Sequence, residues 1–296
     1  MIVLSYAGAA WKWNSGGVIT LWVVFGISLI AYVVQQTFSI FTTEKTRLFP
    51  VQFVRRRSFV LQYFGTAAAA AGLFVPVYYV PLFFQFTKGD SPIMAAVRLL
   101  PFITITITFV MLSGALLPVF GHYMPWYVAA GILMLVGGAL MSTVTVTTTV
   151  AMIYGFEIVI AAGAGLTQQV GYSVASAKAK PEEVPAALGF INIAQLGSVS
   201  IALAISGSIF QNLGFYNLQQ ALEGYRFSDD ELRSALAGAQ SGLLSHGDPQ
   251  VQELATGAIV STISSIYSLV MAAGALTLVS AIFMRREKLQ LVVSTG

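Results

Sequence analysis

Seven long apolar stretches, separated by shorter polar connections, dominate the chain. They lie at about 18–40, 59–84, 95–118, 125–147, 150–172, 188–210 and 259–283. Each is near or above the roughly 20 residues that a helix needs to cross the hydrocarbon core of a bilayer. The pattern therefore predicts an all-α integral membrane protein with about seven transmembrane helices and the lipid bilayer as its solvent.

The composition excludes a soluble domain. Hydrophobic residues make up 56% of the 296 residues and charged residues only 9%, against roughly 45–50% and about 25% in an ordinary soluble domain. The chain has no cysteine, which excludes disulfides, thiolate metal sites and cysteine nucleophiles. The formal net charge of +3 is too small to indicate a nucleic-acid partner.

Basic residues concentrate in alternate connections and thereby predict the topology. Ten of the fifteen lie in the connections 43–57 and 173–187 and in the tail: Lys45, Arg47, Arg55, Arg56, Arg57, Lys178, Lys180, Arg285, Arg286 and Lys288. Cytoplasmic connections carry an excess of Lys and Arg. We therefore expect these three segments in the cytoplasm, which places the C-terminus inside and the N-terminus outside.

One connection, 211–258, is long, polar and mostly acidic, and the alternation of sides makes it external. Within it Ser228 precedes Glu231 by three residues, which is a capping-box signature, and Leu232 and Leu236 follow at helical spacing. We predict a short amphipathic helix on the outer surface.

Several segments, taken in order, carry a family resemblance. They are Trp13–Gly16, FVRRRS from Phe53, PVYYVPLFFQ from Pro76, VRLLPF from Val97, GALLPVFGHYMP from Gly114, GFEIVIAAGAGLTQQ from Gly155 and INIAQLGSVSIALAISGSIFQN from Ile191. The chain resembles the C-terminal half of the fungal fourteen-span drug:proton antiporter branch of the major facilitator superfamily. It departs from the family's cytoplasmic-loop motif at Pro118, Val119 and His122.

The resemblance implies a division of the chain. Residues 1–57 are expected to form a residual linker helix and a basic cytoplasmic loop, 58–284 a six-helix C-terminal lobe that includes the external loop 211–258, and 285–296 a cytoplasmic tail. Met1–Gly8 are too few to cross and look like the remnant of an earlier helix. Alternating access requires two lobes, so a missing N-terminal half or a homodimer is an implied partner.

The resemblance also implies a function. Its members export small hydrophobic compounds such as drugs, toxins or fungal secondary metabolites across the cell membrane in exchange for protons, and they use no cofactor. The alternative interpretation is a non-transporting remnant or accessory half that associates with a full-length transporter. Another alternative is a seven-helix receptor. Against it, the third span has no acidic-Arg-Tyr sequence and the seventh span has no Asn-Pro pair.

Glu157 is the most informative candidate, because it stands alone in an apolar span. A carboxylate at membrane depth is costly, so it is expected to face a cavity or partner, or to stay protonated. Tyr154 and Gln168 fall near the same helix face and would extend it into a stripe. The stripe predicts a proton or substrate pathway, and a helix-packing role for Glu157 is the alternative.

Asn192 and Gln195 lie three residues apart on the next span and predict either substrate contacts or hydrogen bonds between helices. Arg98 predicts an interfacial anchor, or else a partner for Asp90 in the preceding loop. Small residues such as Gly131, Gly137, Gly138, Gly163 and Gly165 predict close helix contacts. An enzyme is not indicated: His122 and His246 are isolated in or near loops, and metal-ligand spacing is missing.

Overall fold

The computed structural model describes residues 14–41, 49–238, 241–245 and 248–289. Trp13, Lys45, Arg47, His246 and the stretch Met1–Gly8 therefore lie outside the described residues. Within them the chain is helical and contains no strand. Seven helices or helix pairs are long and apolar enough to cross a membrane, which confirms the predicted all-α membrane fold.

The helices follow one another in this order: α1 Gly16–Phe38, α2 Arg57–Lys88, α3 Pro92–Arg98, α4 Leu100–Phe120, α5 Met124–Met141, α6 Val150–Gln168, α7 Val170–Lys178, α8 Val184–Ala221, α9 Asp229–Ala237, α10 Gly242–Ser245, α11 Pro249–Ile266 and α12 Ser268–Ile282. Three spans are pairs that continue through a single residue: α3 with α4, α6 with α7, and α11 with α12. Spans 1, 2, 4 and 6 are α1, α2, α5 and α8.

Local chemistry explains several helix ends. The side chains of Ser15, Ser91 and Thr149 each accept a hydrogen bond from a backbone N–H in the first turn of α1, α3 and α6, which satisfies a donor that the helix leaves unpaired. Gly89 and Gly121 close α2 and α4 with φ of 64° and 68°, a left-handed conformation that glycine adopts without a steric penalty.

The predicted external loop is shorter than expected. The sequence predicts a polar connection over 211–258, whereas α8 continues to Ala221 and α11 starts at Pro249, which leaves 222–248 between them. Polar residues in these extensions find partners on the neighbouring helix: Asn217 Nδ2 donates to Thr262 Oγ1 at 2.9 Å. Polarity was therefore a poor guide to where these helices end, because interhelical hydrogen bonds keep the backbone helical beyond the apolar stretch.

The amphipathic helix predicted within this connection is present as α9. Its capping box forms as expected, with the Glu231 carboxylate accepting from the Ser228 backbone N–H at 2.8 Å. Leu232 and Leu236 are buried, and the Leu236 side chain packs where α8 carries Gly214. The helix is therefore docked onto the membrane-spanning bundle.

Spans 2 to 7 pack together, whereas α1 stands at the periphery. Helix α2 contacts α8, α12 and α6, and α5 lies between α6 and α12. Only 6% of the most hydrophobic 18-residue stretch of α1 is buried. Gln36 on α1 accepts a hydrogen bond from the Phe49 backbone N–H at 2.9 Å, which ties α1 to the segment that leads into α2.

Glycines set the closest helix contacts, as the sequence predicts. A β-carbon on Gly131 would lie 2.9 Å from the Gly274 carbonyl oxygen on α12. One on Gly163 would lie 2.9 Å from the Ala130 carbonyl oxygen on α5, and one on Gly165 only 2.6 Å from the Thr106 carbonyl oxygen on α4. Each glycine thus allows backbones to approach where a side chain would separate them.

The three basic segments meet at one end of the bundle. Arg56 forms a bidentate ion pair with Glu183, with both N–O distances 2.8 Å. Lys178 pairs with Glu287 of the tail, and the Leu289 backbone N–H donates to the Gly121 carbonyl oxygen at 2.8 Å. These contacts agree with the sequence prediction that the segments share one side of the membrane.

Candidate functional site

A hydrogen-bonded group of polar side chains lies between α6, α7 and α8. Gln195 Nε2 donates to Gln168 Oε1 at 2.5 Å, and the Tyr172 hydroxyl donates to Gln195 Oε1 at 2.5 Å. The same hydroxyl lies 3.2 Å from Asn192 Oδ1. We call these four residues the amide cluster. It brings together three of the five candidates that the sequence identified.

The amide cluster borders a cavity of about 590 Å³ that is lined by Gln168, Tyr172 and Gln195 together with Ser173, Ser176 and Leu188. Asn192 is exposed and Gln195 partly exposed, whereas Gln168 is 7% exposed. The cavity thus gives a solute access to amide and phenol groups from the α6–α8 side of the bundle.

Sequence reasoning missed Tyr172, although it supplies the hydroxyl that joins Gln195 to Asn192. Two signals were available. Tyr172 follows Gln168 by four residues, which places both on one helix face, and α7 continues to Lys178, so Tyr172 still belongs to the helical span.

One polar atom of the cluster is left unpaired. Gln168 Nε2 is buried and has no hydrogen-bond partner among the described residues, which is unfavourable by about 1–3 kcal/mol. The cluster has no formal charge, and its chemistry therefore suits a neutral molecule with carbonyl or hydroxyl groups.

Glu157 lies elsewhere, inside the packing of the bundle. Its side chain is 0% exposed, and it is the one fully buried charged residue among the described ones. Neither carboxyl oxygen has a hydrogen-bond partner in the described part of the chain. Because an ionised carboxylate without a partner is strongly unfavourable in such surroundings, the neutral acid is the form that this packing accommodates.

Tyr267, at the junction of α11 and α12, is a second buried polar residue of the bundle. The Tyr267 hydroxyl is also buried and has no hydrogen-bond partner within the described residues. Glu157 and Tyr267 thus both leave buried polar atoms unpaired inside the described packing of the bundle.

Tyr154 belongs to a third group, at the opposite end of α6 from the amide cluster. Its ring lies 6.1 Å from the ring of Phe84, and its hydroxyl interacts with Arg98. Arg98 is ion-paired with Asp90 and lies 4.7 Å above the Phe84 ring. Of the two roles predicted for Arg98, the structure shows the pairing with Asp90.

The stripe predicted along α6 is thus not one continuous surface. Glu157 is enclosed by neighbouring helices, Tyr154 joins the Arg98 group, and only Gln168 borders the amide-cluster cavity. Helical spacing predicts which residues share a face of α6. It does not predict which other helices that face contacts, and these differ along the length of α6. No group of three or more metal-ligating side chains occurs within the described residues.

A bundle of membrane-spanning helices with uncharged polar side chains beside an accessible cavity is typical of a transporter-like membrane protein. Comparison with known proteins gives the family. The chain is 40% identical over 296 residues to the MFS-type transporter pgmG of Aspergillus terreus, covering 100% of this chain and 52% of that protein. It is 39% identical over 288 residues to the MFS-type transporter patC of Penicillium expansum, covering 97% of the chain and 53% of that protein.

A third relative, the efflux pump alnA of Emericella nidulans, is 37% identical over 298 residues, covering 98% of this chain and 52% of that protein. No family model matches the chain. The chain matches one half of these MFS-type transporters. It spans about half the length of the curated relatives it matches.

A solved structure supports the fold. A bacterial homologue of the human lysosomal transporter Spinster, in an inward-facing and occupied conformation, superposes with a TM-score of 0.53 at 16% identity. The match covers 79% of this chain and 50% of that one. The six packed spans therefore have the fold of a half of a major facilitator transporter.

Proposed function

We propose that the chain forms one lobe, the C-terminal one, of a proton-coupled exporter of small hydrophobic compounds such as drugs, toxins or fungal secondary metabolites. The observation that carries the proposal is the amide cluster, which presents hydrogen-bonding groups without charge beside an accessible cavity. Several relatives are efflux pumps by name, which supports the direction of transport.

The proposed mechanism is alternating access, in which two lobes rock about a site between them. This chain supplies the wall that carries Gln168, Tyr172 and Gln195, and a second lobe supplies the facing wall. The second lobe comes from a full-length protein, a separate chain or another copy. A solute that leaves bulk water for this cavity meets uncharged hydrogen-bonding groups on this wall, which suits neutral molecules that carry polar atoms.

Proton coupling is assigned to Glu157. Among the described residues, Glu157 is the acidic side chain that is buried within a span. A buried neutral acid needs a path to water before it can release its proton. A change in the packing of α6 against its neighbours would open that path in one conformation and close it in the other. Protonation of Glu157 would then be tied to the position of the lobes.

Replacing Gln195 with Leu tests the proposed site. The change removes the partner of both Gln168 and Tyr172 and takes one hydrogen-bonding group from the cavity wall, and losing such a bond to the solute costs about 0.5–1.5 kcal/mol, or up to about tenfold in affinity. We expect about tenfold weaker efflux of a hydrophobic dye from cells that carry a two-lobed fusion, in which this chain replaces the matching half of the Aspergillus terreus relative.

The matched control is Gln219→Leu, because Gln219 is an exposed glutamine on the same helix, away from the amide cluster. Both variants are compared at equal amounts of folded protein. Equal efflux by the Gln195→Leu and Gln219→Leu proteins would remove the amide cluster from the pathway.

The proposed orientation predicts the labelling of single cysteines, which the cysteine-free chain makes straightforward. Glu223 and Glu182 are both exposed, the first in the connection that carries α9 and the second beside Glu183 at the basic end. In intact cells, a membrane-impermeant maleimide is expected to label Glu223→Cys at once and Glu182→Cys only after permeabilisation. The reverse pattern would invert the topology.

A further inference from the structure

A cavity of about 390 Å³ opens at the basic end of the bundle, apart from the amide cluster. Its polar wall contains Arg56, Arg57, Lys178 and Arg285, with Glu287 as the one acidic member of the lining. Its apolar wall includes Phe59, Leu61 and Leu289. The segments that build it are the start of α2, the end of α7 and the tail, so the three basic segments of the chain converge on this space.

The ion pairs leave part of this positive charge uncompensated. Arg56 is neutralised by Glu183, and Lys178 by Glu287, whose pKa the Lys178 ammonium holds below the usual carboxyl range. Within the described part of the chain, Arg57 donates to the neutral carbonyl oxygen of Phe283 at 3.1 Å and forms no ion pair. Four basic and two acidic side chains thus leave an excess of two positive charges, on the Arg57 and Arg285 side of the cavity.

An apolar surface leads away from this charged opening. Leu276, Val279, Ile282 and Phe283 of α12 and its C-terminal end are 41%, 49%, 70% and 53% exposed. They recur every three or four residues, so they share a helix face. Arg57 lies 5.8 Å over the ring of Phe283, which places the uncompensated charge directly at the end of this face.

A basic cavity at the end of an exposed apolar helix face matches an amphiphile with an anionic head and hydrocarbon tails. A free phosphate ion would bind the positive charge of the cavity but would not contact the apolar face of α12. We propose that this cavity binds the phosphate-bearing head group of an anionic phospholipid, with Arg57 and Arg285 on the phosphate and the acyl chains along the exposed face of α12.

Native mass spectrometry of the purified full chain with phosphatidylglycerol, against phosphatidylcholine of identical acyl chains, tests the proposal. We expect the anionic lipid to stay bound under conditions that strip the zwitterionic one. The double variant Arg57→Gln/Arg285→Gln is expected to bind phosphatidylglycerol about tenfold or more weakly, because charge-assisted hydrogen bonds to phosphate are lost.

The control is Arg55→Gln/Arg286→Gln, which removes the same charge from two exposed arginines of the same end that do not line the cavity. We expect it to bind as the unaltered chain does, and thermal unfolding checks that both variants fold. Equal loss in both variants, or equal retention of the two lipids, would overturn the proposal. Binding of inorganic phosphate or glycerophosphoglycerol as tightly as the whole lipid would overturn it too, in favour of a simple anion site.

Discussion

Replacing Gly165 with Ala is expected to destabilise the protein by about 1–3 kcal/mol, the usual range for overpacking a tight contact. The new β-carbon would lie 2.6 Å from the carbonyl oxygen of Thr106 and 2.9 Å from Cβ of Phe109, both on α4. Neither obstacle is the end of a flexible side chain. The two helices would have to separate, and the contacts along α4 and α6 would loosen with them.

Gly155→Ala is the matched control, because Gly155 is on the same helix and a β-carbon there meets nothing within 4 Å. We expect it to unfold at the same temperature as the unaltered chain or slightly higher, since alanine favours the helix over glycine by up to about 1 kcal/mol. Heating the detergent-solubilised chain and measuring the folded fraction by size exclusion distinguishes them. Equal melting of the two variants would refute the close α4–α6 contact.

Replacing Glu157 with Gln is expected to abolish the response of export to a proton gradient. Glutamine has the size of the neutral acid that the packing accommodates, so the fold should be retained while the exchangeable proton is lost. One pH unit corresponds to about 1.4 kcal/mol, enough for about a tenfold substrate gradient per proton exchanged. In sealed vesicles with a pH difference of one unit across the membrane, the two-lobed fusion should build up about a tenfold substrate gradient. Its Glu157→Gln variant should build up almost none.

Downhill movement of the substrate should persist in the variant, which separates lost coupling from lost binding. Glu253→Gln serves as the control, because Glu253 is an exposed acid on α11 and its loss should leave the gradient unchanged. If the Glu157→Gln protein responds to pH as the unaltered fusion does, Glu157 is a packing residue and the coupling proton is carried elsewhere.

Sequence pattern alone predicted the seven spans, because hydrocarbon imposes a length and an apolarity that no other environment requires. It also predicted α9 from the Ser228–Glu231 capping box, a local interaction that does not depend on the rest of the fold. The glycine contacts were predicted for a similar reason, because glycine in an apolar helix indicates that the backbone of a neighbouring helix lies close by.

The remaining features depend on partners that a sequence does not display. The extension of α8 to Ala221 accompanies a hydrogen bond from Asn217 to Thr262 on another span. Tyr172 was missed because its role is a hydrogen bond to Gln195 on another helix, and the spacing of residues along one helix does not indicate such a contact. The grouping of Tyr154 with Arg98, rather than with Glu157 and Gln168, depends on which helix end lies beside α6 at each depth.

The most direct test of the central claim is gradient-driven efflux of a hydrophobic dye from sealed vesicles that contain the two-lobed fusion. If this chain is one lobe of an exporter, the folded fusion extrudes the dye against its gradient, and dissipating the pH difference stops it. A folded fusion that moves no more dye than empty vesicles would contradict the account.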